Sequence, residues 1–463
     1  MDNKDAIIEQ LKNQVSILIE QNKMLEKENQ LLREEIARLK KNSGNSSKPP
    51  SSDIVRPTSK TRCVQSKRKR GAQRGHKKHN RIKFTPEQVD QRIEYELKGK
   101  DAEGLIALDQ WLVVQQVTLP KKLYTVTEHC GRKYLNPKNG KIIITPLPPQ
   151  VTQGGLFGAD ITSLSAYMKG ACHMSYSTIR QLFNDIFGIN VSRGLLCKTV
   201  NKVSNALEQS HTQLAQRIPN EPSLGIDETG HKDEGKKHWT WCFQTKDFTF
   251  FHINKSRGSK VLFDILGKEF SGIIGCDYWG GYRKYSRLTD TFVQFCMAHL
   301  IREIKFLAKY PVIDVSQWAN KLLDFLKKLF ETMRNAEKLT AKYFASRMQK
   351  IKDGFLTEVR RPPDDNVAKK ISRRFKGEAA ESYFRFLTAP DIEPTNNGSE
   401  REIRHTVIDR KITQGTRGDS GMRWCERIWS TIATCKKQNR DVFEFIHKSI
   451  LAHWNNNPLP SLL

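Results

Sequence analysis

The chain has 463 residues, of which 37% are hydrophobic and 28% charged, with a formal net charge of +28 at pH 7. That length allows two or three domains and a sizeable core, and the positive surplus points away from a surface made for small-molecule chemistry alone: either it serves solubility, or a polyanionic partner offsets its self-repulsion through phosphate neutralisation and counterion release. Nine scattered cysteines show no C-x-x-C pair, the N-terminus MDNKDAIIEQ has no signal-peptide core, and no apolar run is long enough to span a membrane, so a soluble, cytoplasmic protein with reduced thiols is expected.

Residues 1–41 carry a heptad pattern. With Ile8, Val15, Asn22, Asn29 and Ile36 at position a, leucines 11, 18, 25, 32 and 39 all fall at position d. β-branched residues at a, Leu at d and buried Asn favour a parallel two-stranded coiled coil, so self-association through 1–41 is expected; the alternative is a helix packed on its own chain. NSGNSSKPPSSD (42–53) reads as a linker. Residues 54–83 contain twelve Lys or Arg and no acid. This basic stretch, taken with 42–53 as one linker (42–83), suits DNA phosphates through Arg68, Arg70 and Arg74, or acts as a compartment address.

Residues 84–150 read as a small β-rich module, with strand-like runs WLVVQQVTL and KIIITPLP. His129 and Cys130 lie here, but two adjacent ligands without a second pair do not make a zinc site. Residues 151–218 read as helical. Two apolar-periodic segments flank a Gly–Ile–Asn turn with Ser192 placed to cap the second, which fits a helix-turn-helix or a plain core pair.

From 219 the pattern alternates between strands and helices, giving an α/β fold with a mixed sheet. SLGIDETG and GIIGCDYWGGY are short buried runs ending in acid, at Asp227 and Asp277. A carboxylate at a strand end sits on rigid backbone, as a metal site requires. Glu228 should point to the other face as a structural or supporting group. Tyr278 and Trp279 either pack in the core or stack on an unpaired base. Residues 302–388 are basic, helical, and interrupt the α/β pattern. PTNNGSEREIR follows, where Asn396 or Asn397 can cap a helix with Glu400 in its first turn. Glu400 is either an ion-paired surface residue or a metal ligand near phosphate, with Glu393 and Glu402 close by. Three carboxylates in a basic surround match phosphodiester chemistry, in which divalent ions clamp the attacking and leaving oxygens.

These motifs, in this order along nearly the whole chain, resemble the transposases of the Insertion Sequence 66 family. The motifs are the leucine heptads, NSSKPPSSD, GAQRGHKKH, IDETG, SRGSKVLFDILG, FSGIIGCDYWGGY, QFCMAHLIREI and PTNNGSEREIR. The resemblance implies an RNase H-like catalytic core (219–430) with a helical insertion at about 302–388. The N-terminal coiled coil and small DNA-binding modules precede it, and a C-terminal helical tail (431–463) follows. It implies a catalytic, metal-binding triad of Asp227, Asp277 and Glu400, with Mg²⁺ or Mn²⁺ as cofactor, in two ions. It places Cys296, His299 and Arg302 in a shared motif, where His299 either contacts the scissile phosphate or is a structural histidine. Arg302, Arg401, Arg404 and Lys411 are candidate DNA contacts, or basic residues facing solvent. The partners implied are terminal inverted repeats, target DNA and accessory proteins of the same element. One departure is that only Cys130 and its neighbours remain of the family's cysteine-rich zinc-binding module. The function implied is metal-dependent cleavage of DNA ends followed by strand transfer. The alternative is a catalytically inactive, transposase-derived DNA-binding regulator, which should have lost at least one acid; none is lost.

Overall fold

A computed structural model describes residues 2–40, 83–389 and 392–463, apart from positions 104, 107 and 121. Arg68, Arg70 and Arg74 lie outside the described residues. The chain divides into two compact units, Thr58–Glu128 and a larger one formed by Met1–Pro57 with His129–Leu463.

In the smaller unit the described regular structure is two 3₁₀ turns, Pro86–Gln88 and Gly99–Ala102. The run 111–119, expected as a strand, has no strand partner. Leu112, Val114, Val117 and Leu119 stay exposed, so no layer buries this run. Instead the Gln115 side chain clasps the backbone of Phe84, accepting from its amide at 2.7 Å and donating to its carbonyl at 2.9 Å. Within 84–150 the described strands are two three-residue segments of the larger unit, β1 (Lys133–Leu135) and β2 (Ile142–Ile144), paired antiparallel. The β-rich expectation is therefore corrected: apolar alternation without a covering layer does not build a sheet.

The larger unit begins with α1 (Asp2–Lys40), a single helix over the heptad stretch. Both its a and its d side chains are exposed, from Ile8 and Leu11 to Ile36 and Leu39. Helices α2 (Pro149–Gly154), α3 (Ala159–Gly170), α4 (Tyr176–Asp185), α5 (Arg193–Ala206) and α6 (Glu208–Arg217) follow. The expected cap is present, since Ser192 Oγ accepts the Leu195 amide at 3.0 Å. Ser175 caps α4 in the same way. A separate small core of Phe157, Met168, Ile179, Phe183, Val191 and Leu196 joins α3, α4 and α5.

The sheet comprises β3 (Ser223–Asp233), β4 (Lys236–Gln244), β5 (Thr249–Asn254), β6 (Ile273–Cys276) and β7 (Phe292–Phe295), in the order β5-β4-β3-β6-β7. β3, β4 and β5 form an antiparallel meander, while β6 and β7 run parallel to β3. Glu234 and Gly235, both at positive φ, make the tight β3–β4 turn. Parallel strands need crossovers, supplied by α7 (Lys260–Leu266) and α8 (Gly280–Thr289).

After β7 the chain enters α9 (Met297–Leu307) and then the insertion: α10 (Ile313–Arg334), α11 (Ala341–Val359), α12 (Asn366–Ser372) and several 3₁₀ turns. It returns through α13 (Asn397–Thr413), which packs on β3 and β4. Residues 431–463 are not a tail. α14 (Asp419–Lys437) crosses the expected boundary, and α15 (Val442–Trp454) packs on α3 and α5, burying Phe445, Ile446, Ile450 and Trp454.

α14 closes the open edge of β5. The amides of Thr249, Phe251 and Ile253 donate to Thr434 Oγ1 (3.1 Å), Ser430 Oγ (2.9 Å) and Glu426 Oε1 (2.6 Å). Two strand residues rise about as far as four helical ones, so side chains four apart meet every second strand amide. The ladder groups are satisfied and edge-to-edge pairing is blocked. The described cysteines are all free thiols, and no helix among the described residues is long and apolar enough to cross a membrane.

Candidate active site

β3 pairs with β6 in parallel only from Ser223↔Ile273 to Gly225↔Gly275. Carrying that register two residues further places Asp227 beside Asp277, just where the two strands part. β3 continues beyond this point because β4 holds its other side through Asp233. Asp227 thus lies in mid-strand, not at a strand end as expected, while Asp277 immediately follows the last residue of β6.

Each aspartate fixes one oxygen on backbone. Asp227 Oδ1 accepts the Glu228 amide at 2.9 Å, and Asp277 Oδ1 accepts the Trp279 amide at 2.8 Å. Burial, then the charges of Glu228 and Asp277, push the Asp227 carboxyl well above the usual range; Glu400 adds to the rise. Burial and Glu228 push Asp277 up to about 7. Asp277 and Glu400 thus both disfavour the charged form of Asp227, while Arg257 opposes the rise at Asp277.

Glu400 lies in the first turn of α13. Its Oε1 is 3.3 Å from Arg302 Nη2 and 3.6 Å from His299 Nε2, both on α9. Burial, with Arg302 nearby, lowers His299 to about 4, so the imidazole is neutral at pH 7. The ligand atoms of Cys296, His299 and Glu400 all lie within 4.8 Å of one another. The Cys296 sulfur, however, is engaged by the Asn396 amide at 3.2 Å. Arg401, Arg404 and Lys411 are exposed at helical spacing on α13, away from these contacts.

Glu228 links the aspartates to a further group whose members lie far apart in the chain. Glu228 is buried, as alternation along β3 requires, and binds Arg257 Nε at 2.7 Å and the Tyr282 hydroxyl. The Arg257 guanidinium lies over the rings of Trp239 and Trp279, 4.8 and 4.7 Å from their centroids. Burial raises Glu228 while Arg257 and Tyr282 oppose the rise. Trp279 is therefore half-buried against the core, with its ring engaged by Trp241 and Tyr282. Tyr278 is also occupied: Arg283 and Arg374 each lie 4.5 Å from its ring centroid, and Phe295 meets its edge. Arg257 sits in the SRGS stretch, whose only sequence signal was its place in a family motif.

With two strand acids and one helix acid so arranged, comparison with known families is decisive. The sequence pattern of a family described as Transposase IS66 family matches residues 154–424, more than half of the chain. The chain belongs to this family. The matched span begins ahead of α3 and takes in the whole sheet, the insertion and α13, so all three acids and the α9 motif lie inside it. A second pattern, from a family of unknown function, matches residues 2–82, covering the heptad helix and the basic stretch. No curated relative matches the chain.

Proposed function

We propose that this transposase-family chain cleaves DNA at the ends of its element and joins them to target DNA, using an RNase H-like core. The observation that carries this reading is the placement of Asp227 on β3 beside Asp277, which follows β6 in parallel register, with the first turn of α13, which carries Glu400, packed on β3. A three-stranded antiparallel meander, flanked by two parallel strands and interrupted by a helical insertion before the third acid, supports the RNase H-like reading. The regulator alternative draws no support from a core that retains all three acids.

The donor set fits a hard divalent cation. Its members are carboxylates, the two aspartates each keep one oxygen free of the backbone contact, and burial and like charge both disfavour the ionised form of Asp227 without a metal. Asp227, Asp277 and Glu400 would hold Mg²⁺ or Mn²⁺, two ions in all. Bound there, such ions stabilise the charge that develops on the attacking and leaving oxygens of an in-line displacement at phosphorus. In the first reaction the oxygen of water bonds to phosphorus and the bond to the 3′ oxygen breaks, leaving a 3′-hydroxyl and a 5′-phosphate. In the second, that 3′-hydroxyl oxygen bonds to a target phosphorus and the target's 3′ oxygen leaves with a proton.

The chain's own groups hold and orient. Arg302 and neutral His299 bracket Glu400. Arg401, Arg404 and Lys411 offer exposed cations to strand phosphates, and Arg68, Arg70 and Arg74 add sequence-independent attraction. The terminal inverted repeats and target DNA are the partners. The exposed heptad seam of α1, with Leu at every d position and two Asn at a, takes a second copy of this chain.

Replacing Asp227 with Ala should abolish nicking and strand transfer while leaving DNA binding in gel-shift assays intact. Undiminished strand transfer by Asp227→Ala would end the triad reading.

A further inference from the structure

Asn396 stands at the N-cap position of α13, yet its side chain makes no capping bond. It is 5% exposed and turned away from the helix. Its Nδ2 donates to the carbonyl of Ile226 at 2.8 Å, the residue just before Asp227. Its own backbone amide donates to Cys296 Sγ at 3.2 Å. Cys296 in turn donates its amide to the carbonyl of Cys276 at 2.8 Å, the residue just before Asp277. Beside it, the amide of Met297, one residue after Cys296, donates to the carbonyl of Pro394, two residues before Asn396, at 2.9 Å. A short relay of hydrogen bonds therefore runs from the backbone behind Asp227, through Asn396 and Cys296, to the backbone behind Asp277. Glu400 follows one helical turn after Asn396, whose carbonyl accepts the Glu400 amide at 3.2 Å.

The surrounding packing leaves this relay little room to move. A Cβ on Gly225 would stand 2.6 Å from Ser399 Oγ and 3.1 Å from Asn396 Oδ1. A Cβ on Gly398 would stand 2.3 Å from Gln244 Oε1. Glycine at both places lets the start of α13 lie directly on β3 and β4. A cap could be supplied by Ser, Thr or Asp as well. A buried side chain that must donate to a strand carbonyl could not be Ser-sized at this reach, nor a carboxylate, which has no proton to give.

We infer that Asn396 is a positioning residue, anchored by Cys296, that sets the spacing of the three acids by tying the helix of Glu400 to the backbone immediately preceding Asp227 and Asp277. This rests on the proposed metal-binding triad and adds to it the group that fixes its geometry. Loss of the Nδ2 donor leaves the buried Ile226 carbonyl unpaired and frees α13 to shift relative to β3, moving Glu400 relative to the two aspartates. Loss of the sulfur acceptor leaves the Asn396 amide unpaired and loosens the link to β6.

The test is Mn²⁺ binding to the full-length protein, read from the paramagnetic resonance signal of free Mn²⁺, beside thermal unfolding without metal. Wild type should bind and Asp227→Ala should not. Asn396→Ala and Cys296→Ala should each weaken Mn²⁺ binding roughly tenfold, as loss of groups that orient metal ligands does. Cys296→Ser, whose hydroxyl still accepts the amide, should recover most of that loss. Asn396→Ala should also lower the metal-free unfolding temperature, because a buried carbonyl is left unpaired, so affinity is read well below that temperature, where every variant is folded. Should Asn396→Ala fail to fold, the Cys296 pair carries the same comparison. Wild-type affinity in both alanine variants, with Asp227→Ala still defective, would overturn the positioning role alone. No Mn²⁺ binding by wild type would overturn the triad reading beneath it.

Discussion

Asp277 gives up its proton near pH 7 because burial and the neighbouring Glu228 carboxylate both disfavour its charge. In the unfolded chain the same group ionises near pH 4. Between those values the native state keeps a proton that the unfolded chain has lost, so without metal stability falls as pH rises from about 4 to about 7. Asp277→Asn removes that penalty. At pH 8 without metal the variant should be more stable than wild type by roughly 1–3 kcal/mol in denaturant unfolding, while losing activity. A variant no more stable than wild type at pH 8 would contradict the buried-charge account. Asp277 was legible in the sequence because a short apolar strand ending in acid has few other uses. Asp227 was singled out for the same reason, although it lies in mid-strand, where only the parallel partner stops. Asn396 or Asn397 was read as a cap, since N-cap statistics describe a residue's neighbours in sequence and not the strand carbonyl 170 positions away that claims the Asn396 side chain.

The elements around the site make their own demands. Gly225 lies where α13 crosses β3, and Gly225→Ala must push Ser399 aside. A helix displaced by less than an ångström carries Glu400 with it, and cleavage should fall by up to about 100-fold with the protein still folded by circular dichroism. Normal activity in Gly225→Ala would show that the helix has slack. On the far edge of the sheet, Ser430 is fully buried and serves the Phe251 amide. Ser430→Ala leaves that amide unpaired, at a cost of about 1–3 kcal/mol in unfolding free energy, with no direct effect on the acids. Of these elements, the strands and the helical insertion were readable from periodicity. The role of α14 was not, because its polar residues at 426, 430 and 434 look like a solvated face until a strand edge is placed against them. The run 111–119 misled for the opposite reason: alternation signals a strand only when a layer exists to bury one face.

At the scale of the whole chain, charge and heptads carry the expectations. The net charge of +28 suits a polyanionic partner, and the exposed apolar seam of α1 suits a second copy. Removing residues 1–41 should lower the mass seen by light scattering to that of a monomer; an unchanged mass would remove α1 from the assembly. The family was legible because its motifs run in order along the chain. The smaller unit was not, because apolar runs whose side chains stay exposed give no core to reason from. The measurement that bears most directly on the central claim is cleavage of end-labelled terminal-repeat DNA in Mg²⁺ by wild type and by Asp277→Ala. Cleavage by wild type alone, lost on chelation, is the predicted result. Equal cleavage by both, or binding without cleavage by either, would contradict an enzyme built on Asp227, Asp277 and Glu400.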